Sequence, residues 1–144
     1  MCWMAARETI SSTEGMVVTP TCLGQATIND NSGQNTIQFG EGIGLSDILV
    51  LPSGTYDIAF VLRDSPADRL IIQNYLMNAE YRNLTLAFAD GSSYALAAGS
   101  DNPFATINGT ENGETLRAIL TGSTLNGLGG NDTLNGSNGD DELN

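Results

Sequence analysis

The sequence predicts an all-β fold in which a small β-domain is flanked on both sides by coils of very short parallel strands. Three observations support this fold class. Residues 108–144 repeat a nine-residue pattern, residues 24–38 carry a degenerate form of it, and residues 39–107 read as short strands separated by tight turns. The chain of 144 residues is long enough for one or two small domains.

The C-terminal pattern has a strict period of nine residues. Leucine recurs at Leu116, Leu125, Leu134 and Leu143. When the last two units are written as nine columns, glycine fills columns 1 and 4, aspartate column 6, leucine column 8 and asparagine column 9. Glycine permits the sharp turn of the first six residues, and the last three form a short strand with leucine inward. Two units complete one coil, so the turns stack along two outer edges.

This repeat resembles the haemolysin-type calcium-binding nonapeptide of the RTX proteins, which forms a parallel β-roll. Turns on one edge stack about 4.8 Å apart, so the column-6 carboxylates form a row of like charge. Two such charges repel by roughly 1 kcal/mol in water and about 3.5 kcal/mol at an effective dielectric of 20. A cation between the turns converts this repulsion into net attraction, and Ca²⁺ suits a site built from about 6–8 oxygens.

Column 6 of the two preceding units holds Glu114 and Ser123 instead of aspartate. The pattern therefore predicts that Glu114 stacks on Asp132 and Ser123 on Asp141. The candidate calcium-binding residues are Gly127, Gly129, Gly130, Asn131, Asp132, Gly136, Asn138, Gly139, Asp140, Asp141 and Glu114. We interpret residues 108–144 as the truncated start of a second RTX β-roll, because the matching partners of Asp132 and Asp141 would lie past Asn144. A flexible tail rich in Gly, Asn and Asp is the alternative, since short repeat arrays cannot bury their faces alone.

The degenerate repeat at residues 24–38 ends in two inward isoleucines, Ile28 and Ile37. Column 6 holds Ala26 in the first unit and Asn35 in the second. Because neither turn offers a column-6 carboxylate, we expect a structural role in finishing an upstream roll, with a metal site as the alternative.

Residues 1–23 form an atypical leader that contains both cysteines, Cys2 and Cys22. Read one base out of frame, the codons of Met1 to Ala5 encode valine, leucine, aspartate and glycine whatever synonymous codons are used. One hypothesis is therefore that this segment consists of frameshifted RTX repeats, or follows a wrongly assigned start. A disordered leader is the alternative. We assign no function to either cysteine.

The middle segment reads as alternating apolar stretches bounded by turn dipeptides. The predicted strands are Ile37–Phe39, Ile48–Leu51, Tyr56–Arg63, Arg69–Asn74, Leu84–Ala89 and Ser93–Ala97. Ser53-Gly54 and Asp90-Gly91 predict tight turns. Ile58, Phe60 and Leu62 alternate with Asp57, Ala59 and Val61, which predicts a half-buried strand. Tyr75–Arg82 is interpreted as a helical turn.

The motifs Phe39-Gly40-Glu41-Gly42-Ile43, Ile72-Gln73-Asn74-Tyr75 and Phe88-Ala89-Asp90-Gly91 give residues 39–107 a second resemblance. Together they are similar to the haemolysin-type calcium-binding protein-related domain, which lies between RTX blocks in large secreted bacterial proteins. No catalytic residues accompany that family.

The composition limits the partners of the chain. It has 17 acidic residues, five arginines, no histidine and a net charge of −12. This balance argues against nucleic acid or an anionic membrane as a partner and favours divalent cations. Without histidine, the commonest general base and zinc ligand is missing. No apolar run is long enough for a membrane-spanning helix.

We expect no enzymatic activity from this chain, although its parent protein could be an enzyme or toxin. Five aspartates of the middle segment could in principle act as acid and base: Asp47, Asp57, Asp64, Asp68 and Asp90. Nothing in their spacing brings two of them together.

The expected function is calcium binding by the repeats, with Ca²⁺ as cofactor, which drives folding of a secreted bacterial protein after export. The resemblance implies an extracellular location, export by a type I secretion machinery, and other domains of a larger parent chain as partners. The alternative is a ligand- or glycan-binding accessory or adhesin module, or a non-catalytic part of a secreted hydrolase or toxin.

Overall fold

The computed structural model describes residues 25–30, 32–96, 102–119 and 122–144, together with the backbone of two short strands in the leader. The strands are β1 (Glu8–Ile10), β2 (Val17–Val18), β3 (Gln25–Ile28), β4 (Asn35–Gln38), β5 (Ile48–Pro52), β6 (Ile58–Leu62), β7 (Ser65–Ile72), β8 (Leu84–Ala87), β9 (Ser93–Ala95), β10 (Thr106–Asn108), β11 (Thr115–Arg117), β12 (Thr124–Asn126), β13 (Thr133–Asn135) and β14 (Glu142–Leu143). Three short 3-10 helices span Leu45–Asp47, Ala79–Arg82 and Pro103–Ala105. The all-β prediction is confirmed, and no helix of the described residues could span a membrane.

The first roll is a two-sheet coil of parallel strands. β1, β3 and β7 pair in parallel in one sheet, and β2, β4 and β8 do so in the other. Ile28 and Ile37, the predicted inward positions, are 1% and 0% exposed. The leader thus contributes two strands that its sequence pattern did not predict. The rest of residues 1–23, with Cys2 and Cys22, and also Gly24 lie outside the described residues.

The middle segment extends both sheets of the first roll. β5, β6 and β7 form an antiparallel meander in the order β7-β6-β5, with Ser53 N–H donating to Asp57 O across the first turn at 3.1 Å. β8 and β9 form a hairpin whose turn contains Asp90 and Gly91, as predicted. The 3-10 helix Ala79–Arg82 occupies the end of the predicted helical turn.

One burial prediction was wrong. β6 was expected to be half-buried, but Ala59 and Val61 on its second face are only 2% and 3% exposed. Both faces of β6 are therefore covered, and a strand covered on both faces is a nearly continuous apolar run, as Ile58–Leu62 is. Strand β7 also begins four residues earlier than predicted, because the two residues Arg63 and Asp64 alone make the β6–β7 turn.

The second roll has the register that the nine-residue period predicts. β10, β12 and β14 pair in parallel with partners 18 residues apart, and β11 pairs with β13 in the same way. Leu116 and Leu125 are 0% exposed, whereas Leu143 is 48% exposed. Leu125 lies in β12, which pairs with β10 and β14, whereas Leu143 lies in β14, whose described partner is β12.

The second roll is joined to the middle segment by packing and by one arginine. β10 and β11 pack against β5, and the rings of Phe60 and Phe104 stack with centroids 5.5 Å apart. Arg63 donates to the carbonyl oxygens of Ser46 at 3.0 Å, Gly109 at 2.9 Å and Asn108 at 2.8 Å. A single apolar core therefore runs from Ile28 to Leu125.

Candidate metal centre

The turns of the second roll stack in two columns, here called edge one and edge two. Edge one contains the turn 109–114 before β11 and the turn 127–132 before β13. Edge two contains residues 118–119 and 122–123 before β12 and the turn 136–141 before β14. The parallel register of 18 residues places each column-6 residue over its counterpart two units away.

On edge one the two acidic column-6 residues meet as predicted. Glu114 N–H donates to Asp132 Oδ1 at 2.9 Å. The Glu114 carboxylate in turn reaches back to the start of its own unit, where Thr110 N–H donates to Oε2 at 3.0 Å and the Thr110 hydroxyl donates to Oε1. Each carboxylate therefore ties the end of a turn to a neighbouring backbone group.

Edge two repeats the arrangement with Ser123 in place of the first acid. Ser123 N–H donates to Asp141 Oδ1 at 2.8 Å, and Ser137 N–H donates to Asp141 Oδ2 at 2.6 Å. These bonds, that of Ser123 first, hold the pKa of Asp141 below its ordinary value of 3.8. A carboxyl group with a depressed folded pKa stabilises the fold above its unfolded pKa. This contribution is present at neutral pH and is lost as the pH falls below 3.8 through the folded value.

Glycine in column 1 leaves room for the carboxylate of column 6. A Cβ atom on Gly127 would lie 2.7 Å from Asp132 Oδ2, and one on Gly136 would lie 2.9 Å from Asp141 Oδ2. Real Cβ atoms do not approach other heavy atoms so closely. A side chain in column 1 would thus occupy the same space as the side chain in column 6, and in these two turns the column-6 carboxylate occupies it.

The oxygens beside Gly109 provide the test of whether a calcium ion suits this roll. A Cβ on Gly109 would lie 2.6 Å from Gly127 O, 2.9 Å from Glu114 Oε2 and 3.4 Å from Asn126 O. A carboxylate and two carbonyls therefore converge between stacked turns. This all-oxygen set fits the preference of Ca²⁺. Within the described ranges, no group of three or more acidic, Cys or His residues is placed to hold a metal, so backbone carbonyls must supply much of any coordination.

The structure divides the candidate residues into two groups. Asp132, Glu114 and Asp141 lie between stacked turns. Asn138, Gly139 and Asp140 are exposed on the outside of edge two. The sequence reasoning did not include two residues of edge one: Thr110, which binds Glu114, and Glu111, whose carboxylate lies beside Gly129. Their columns carry no fixed residue type, so the pattern gave no signal for them.

Gly129, Gly130 and Asn131 of the candidate set lie where two turns of edge one touch. Gly130 has a positive φ of 103°, and a Cβ on it would lie 2.5 Å from the carbonyl carbon of Asn112. A Cβ on Gly113 would lie 2.8 Å from Asn131 O. These residues serve the close approach of the turns.

The aspartates of the middle segment bind turns of the backbone. Asp47 accepts from Gly44 N–H at 2.7 Å, and Asp57 accepts from Asn74 N–H at 2.8 Å. Asp90 accepts from both the N–H and the hydroxyl of Ser92, and these bonds lower its pKa from 3.8. Asp68 accepts from the Ser65 hydroxyl at 2.7 Å. Asp64 is exposed in the turn between β6 and β7.

A cavity of about 350 Å³ lies between the middle segment and edge two. Its described lining includes Arg82 and Arg117 and no acidic residue. Arg82 Nε donates to Tyr75 O at 2.9 Å, and Arg117 Nη1 donates to Thr55 O at 3.0 Å. Two guanidinium groups are therefore anchored at one cavity of a strongly acidic chain.

No family model matches the chain, and no curated protein matches it either. Among solved structures, the crystal structure of the extracellular lipase LipA from Serratia marcescens matches with a TM-score of 0.39 and 16% identity. The match covers 98% of this chain and 28% of that lipase, so the chain spans little more than a quarter of the length of the protein it matches. A similarity of this size does not assign the chain to a family.

Proposed function

We propose that this chain binds calcium at the turn edges of its second roll, and that calcium drives the folding of that roll. One observation supports the proposal most directly. The carboxylates of Asp132 and Asp141 lie against the preceding turn of the same edge, at 2.9 Å and 2.8 Å from its backbone N–H groups.

The electrostatics of the chain make folding of the roll dependent on a cation. Folding brings acidic turns together in a chain of net charge −12, and the resulting repulsion opposes the compact state. An ion bound only by the folded roll stabilises it by mass action, by about 2.7 kcal/mol when free calcium is 100 times its Kd. When bound, calcium would supply the positive charge that neutralises the row of column-6 carboxylates.

Each edge has its own set of ligands in this proposal. On edge one, Asp132, Glu114 and the Gly127 carbonyl would hold the ion. On edge two, Asp141 would contribute the carboxylate. Hydrogen bonds from the backbone fix each carboxylate, and column-1 glycines leave space for it.

The resemblance of the repeats to RTX nonapeptides supports a secreted, extracellular bacterial protein exported by a type I system. In the low calcium of the cytosol the second roll would remain unfolded, which suits export, and calcium outside the cell would fold it. We propose that the chain is a non-catalytic part of a larger secreted protein.

The proposal is tested by a calcium titration of the full chain followed by circular dichroism. We expect a gain of β-structure that EDTA reverses. With Asp132→Asn and Asp141→Asn together, the calcium midpoint should rise by at least about tenfold, since even partners outside the first coordination shell contribute 10–100-fold to metal affinity.

Asp140→Asn is the matched control for the single variant Asp141→Asn in this titration. It removes the same charge next to Asp141, but its side chain is exposed. Its midpoint should stay close to that of the parent chain. An identical spectrum in calcium and in EDTA, or equal midpoints for the control and Asp141→Asn, would contradict the proposal.

The cavity between Arg82 and Arg117 favours a second candidate function, binding of a small anionic ligand such as an acidic sugar. Guanidinium groups bind carboxylates through paired N–H donors. The described part of the lining offers these two positive charges without an acidic neighbour. This would make the chain a ligand- or glycan-binding accessory module.

Isothermal titration calorimetry with glucuronate, and with neutral glucose as control ligand, tests this second function. Glucuronate should bind and glucose should not, because only the former carries a carboxylate. Arg82→Ala with Arg117→Ala should abolish binding. Arg69→Ala, which removes a charge that does not line the cavity, should retain it. Equal heats for both ligands, or for both variants, would rule the function out.

A further inference from the structure

The turn 30–35 of the first roll carries its acidic residue in an unusual column. In the unit 30–38, Asp30 occupies column 1, where three of the four units of the second roll have glycine, and Asn35 occupies column 6, where three of those four have an acid. The acid of this unit therefore lies in column 1 instead of column 6. Since columns 1 and 6 share one space in the second roll, a carboxylate entering from column 1 would fill it from the opposite end of the turn.

The side chains of Asp30 and Asn35 are both buried. Asp30 is 8% exposed and Asn35 is 3% exposed. Ser32 lies between them: its N–H and hydroxyl donate to Asp30 Oδ1 at 2.9 Å and 3.1 Å. The Asn35 amide donates from Nδ2 to Ser32 O at 3.2 Å. That bond sets the orientation of the amide, because a carbonyl accepts from the nitrogen and not from the oxygen.

One oxygen of each side chain remains without a donor. Asp30 Oδ2 and Asn35 Oδ1 are both buried and have no hydrogen-bond partner in the described structure. Leaving such a group unsatisfied costs about 1–3 kcal/mol, and more when it is charged. A carboxylate oxygen and an amide oxygen cannot satisfy each other, since both only accept. Buried acceptors of this kind are satisfied by a bound cation or by the hydrogens of a water molecule, and the charge of the carboxylate favours the cation.

We propose that Asp30 Oδ2 and Asn35 Oδ1 bind a divalent cation of the calcium type. The sequence favoured a structural role here over a metal site, because it considered carboxylates in column 6 only. This first-roll site extends the proposed calcium binding to a second place in the chain, and it rests on that function only for the choice of ion.

The test uses the full chain with Asp132→Asn and Asp141→Asn, in which the column-6 aspartates of the second roll are removed. Calcium binding is measured by isothermal titration calorimetry. We expect residual calcium binding in this chain. Adding Asp30→Asn should weaken it by at least about tenfold, the lower range seen when even an outer partner of a metal is lost. Adding Asp64→Asn, the same charge change at an exposed turn, should leave it unchanged.

The outcomes separate the two proposals. Absence of residual binding, or residual binding that Asp30→Asn does not alter, would overturn the first-roll site and leave the proposed function in place. Equal stoichiometry in the parent chain and in the Asp132/Asp141 double variant would remove the proposed function and leave the first-roll site.

Asn35→Asp gives a second test that does not depend on loss of binding. It places a second carboxylate on the turn that holds Asp30, so a bound cation should be held more tightly. Stability in EDTA should fall, because two like charges are then buried together. A loss of stability that is equal in calcium and in EDTA would show that no cation is bound there.

Discussion

Replacing Gly130 with alanine is expected to destabilise the second roll by about 2–5 kcal/mol, the sum of left-handed backbone strain and overpacking. The φ of Gly130 is +103°, and an added Cβ would lie 2.5 Å from the carbonyl carbon of Asn112 and 2.6 Å from Gly113 N. These neighbours are backbone atoms, which cannot swing aside as a side chain would. Urea unfolding in the presence of calcium measures the loss.

Gly91→Ala separates strain from collision. Gly91 has a similar φ of +90°, but a Cβ there would meet nothing within 4 Å. It should therefore lose only the strain, about 1–2 kcal/mol. If both variants lose the same free energy of unfolding, the turns at 112–113 and 130 are not in tight contact.

Leu125→Ala is expected to cost about 2–5 kcal/mol, the usual range for truncating a buried leucine. Leu125 is 0% exposed, and its strand β12 is paired on both sides, with β10 and β14. The cavity left by truncation is therefore enclosed within the roll. Thermal or urea unfolding of the full chain in calcium provides the measurement.

Leu128→Ala is the matched control for Leu125→Ala. It is the same substitution three residues away, but Leu128 is 64% exposed in column 2 of a turn. We expect a change within about 0.5 kcal/mol, as for most surface substitutions. A loss as large as that of Leu125→Ala would mean that the inward column had been assigned wrongly.

The nine-residue period was sufficient to predict the second roll. It gave the inward leucines, the pairing of residues 18 apart and the stacking of Glu114 on Asp132, because a coil of two units follows directly from column spacing. The middle strands were predicted from local alternation. Alternation could not show that β6 is covered on both faces, since the packing of other elements on a sheet face depends on long-range contacts.

The candidate site was less predictable than the fold. The pattern identified Asp132 and Asp141 but not the backbone groups that bind them. It also missed Asp30, because the closeness of columns 1 and 6 appears only when the turn is folded. The strands β1 and β2 were missed because the leader residues show no alternation. The frameshift hypothesis and the domain boundaries remain predictions.

The three hydrogen bonds of the Arg63 side chain hold the beginning of the second roll against the middle segment. Its guanidinium is held by the Asn108 and Gly109 carbonyls, at the end of the roll nearest the middle segment. A charge that belongs to the chain cannot dissociate when free calcium falls. The coil beside Arg63 should therefore stay folded longest as free calcium falls, and it should be the first to fold again when calcium returns.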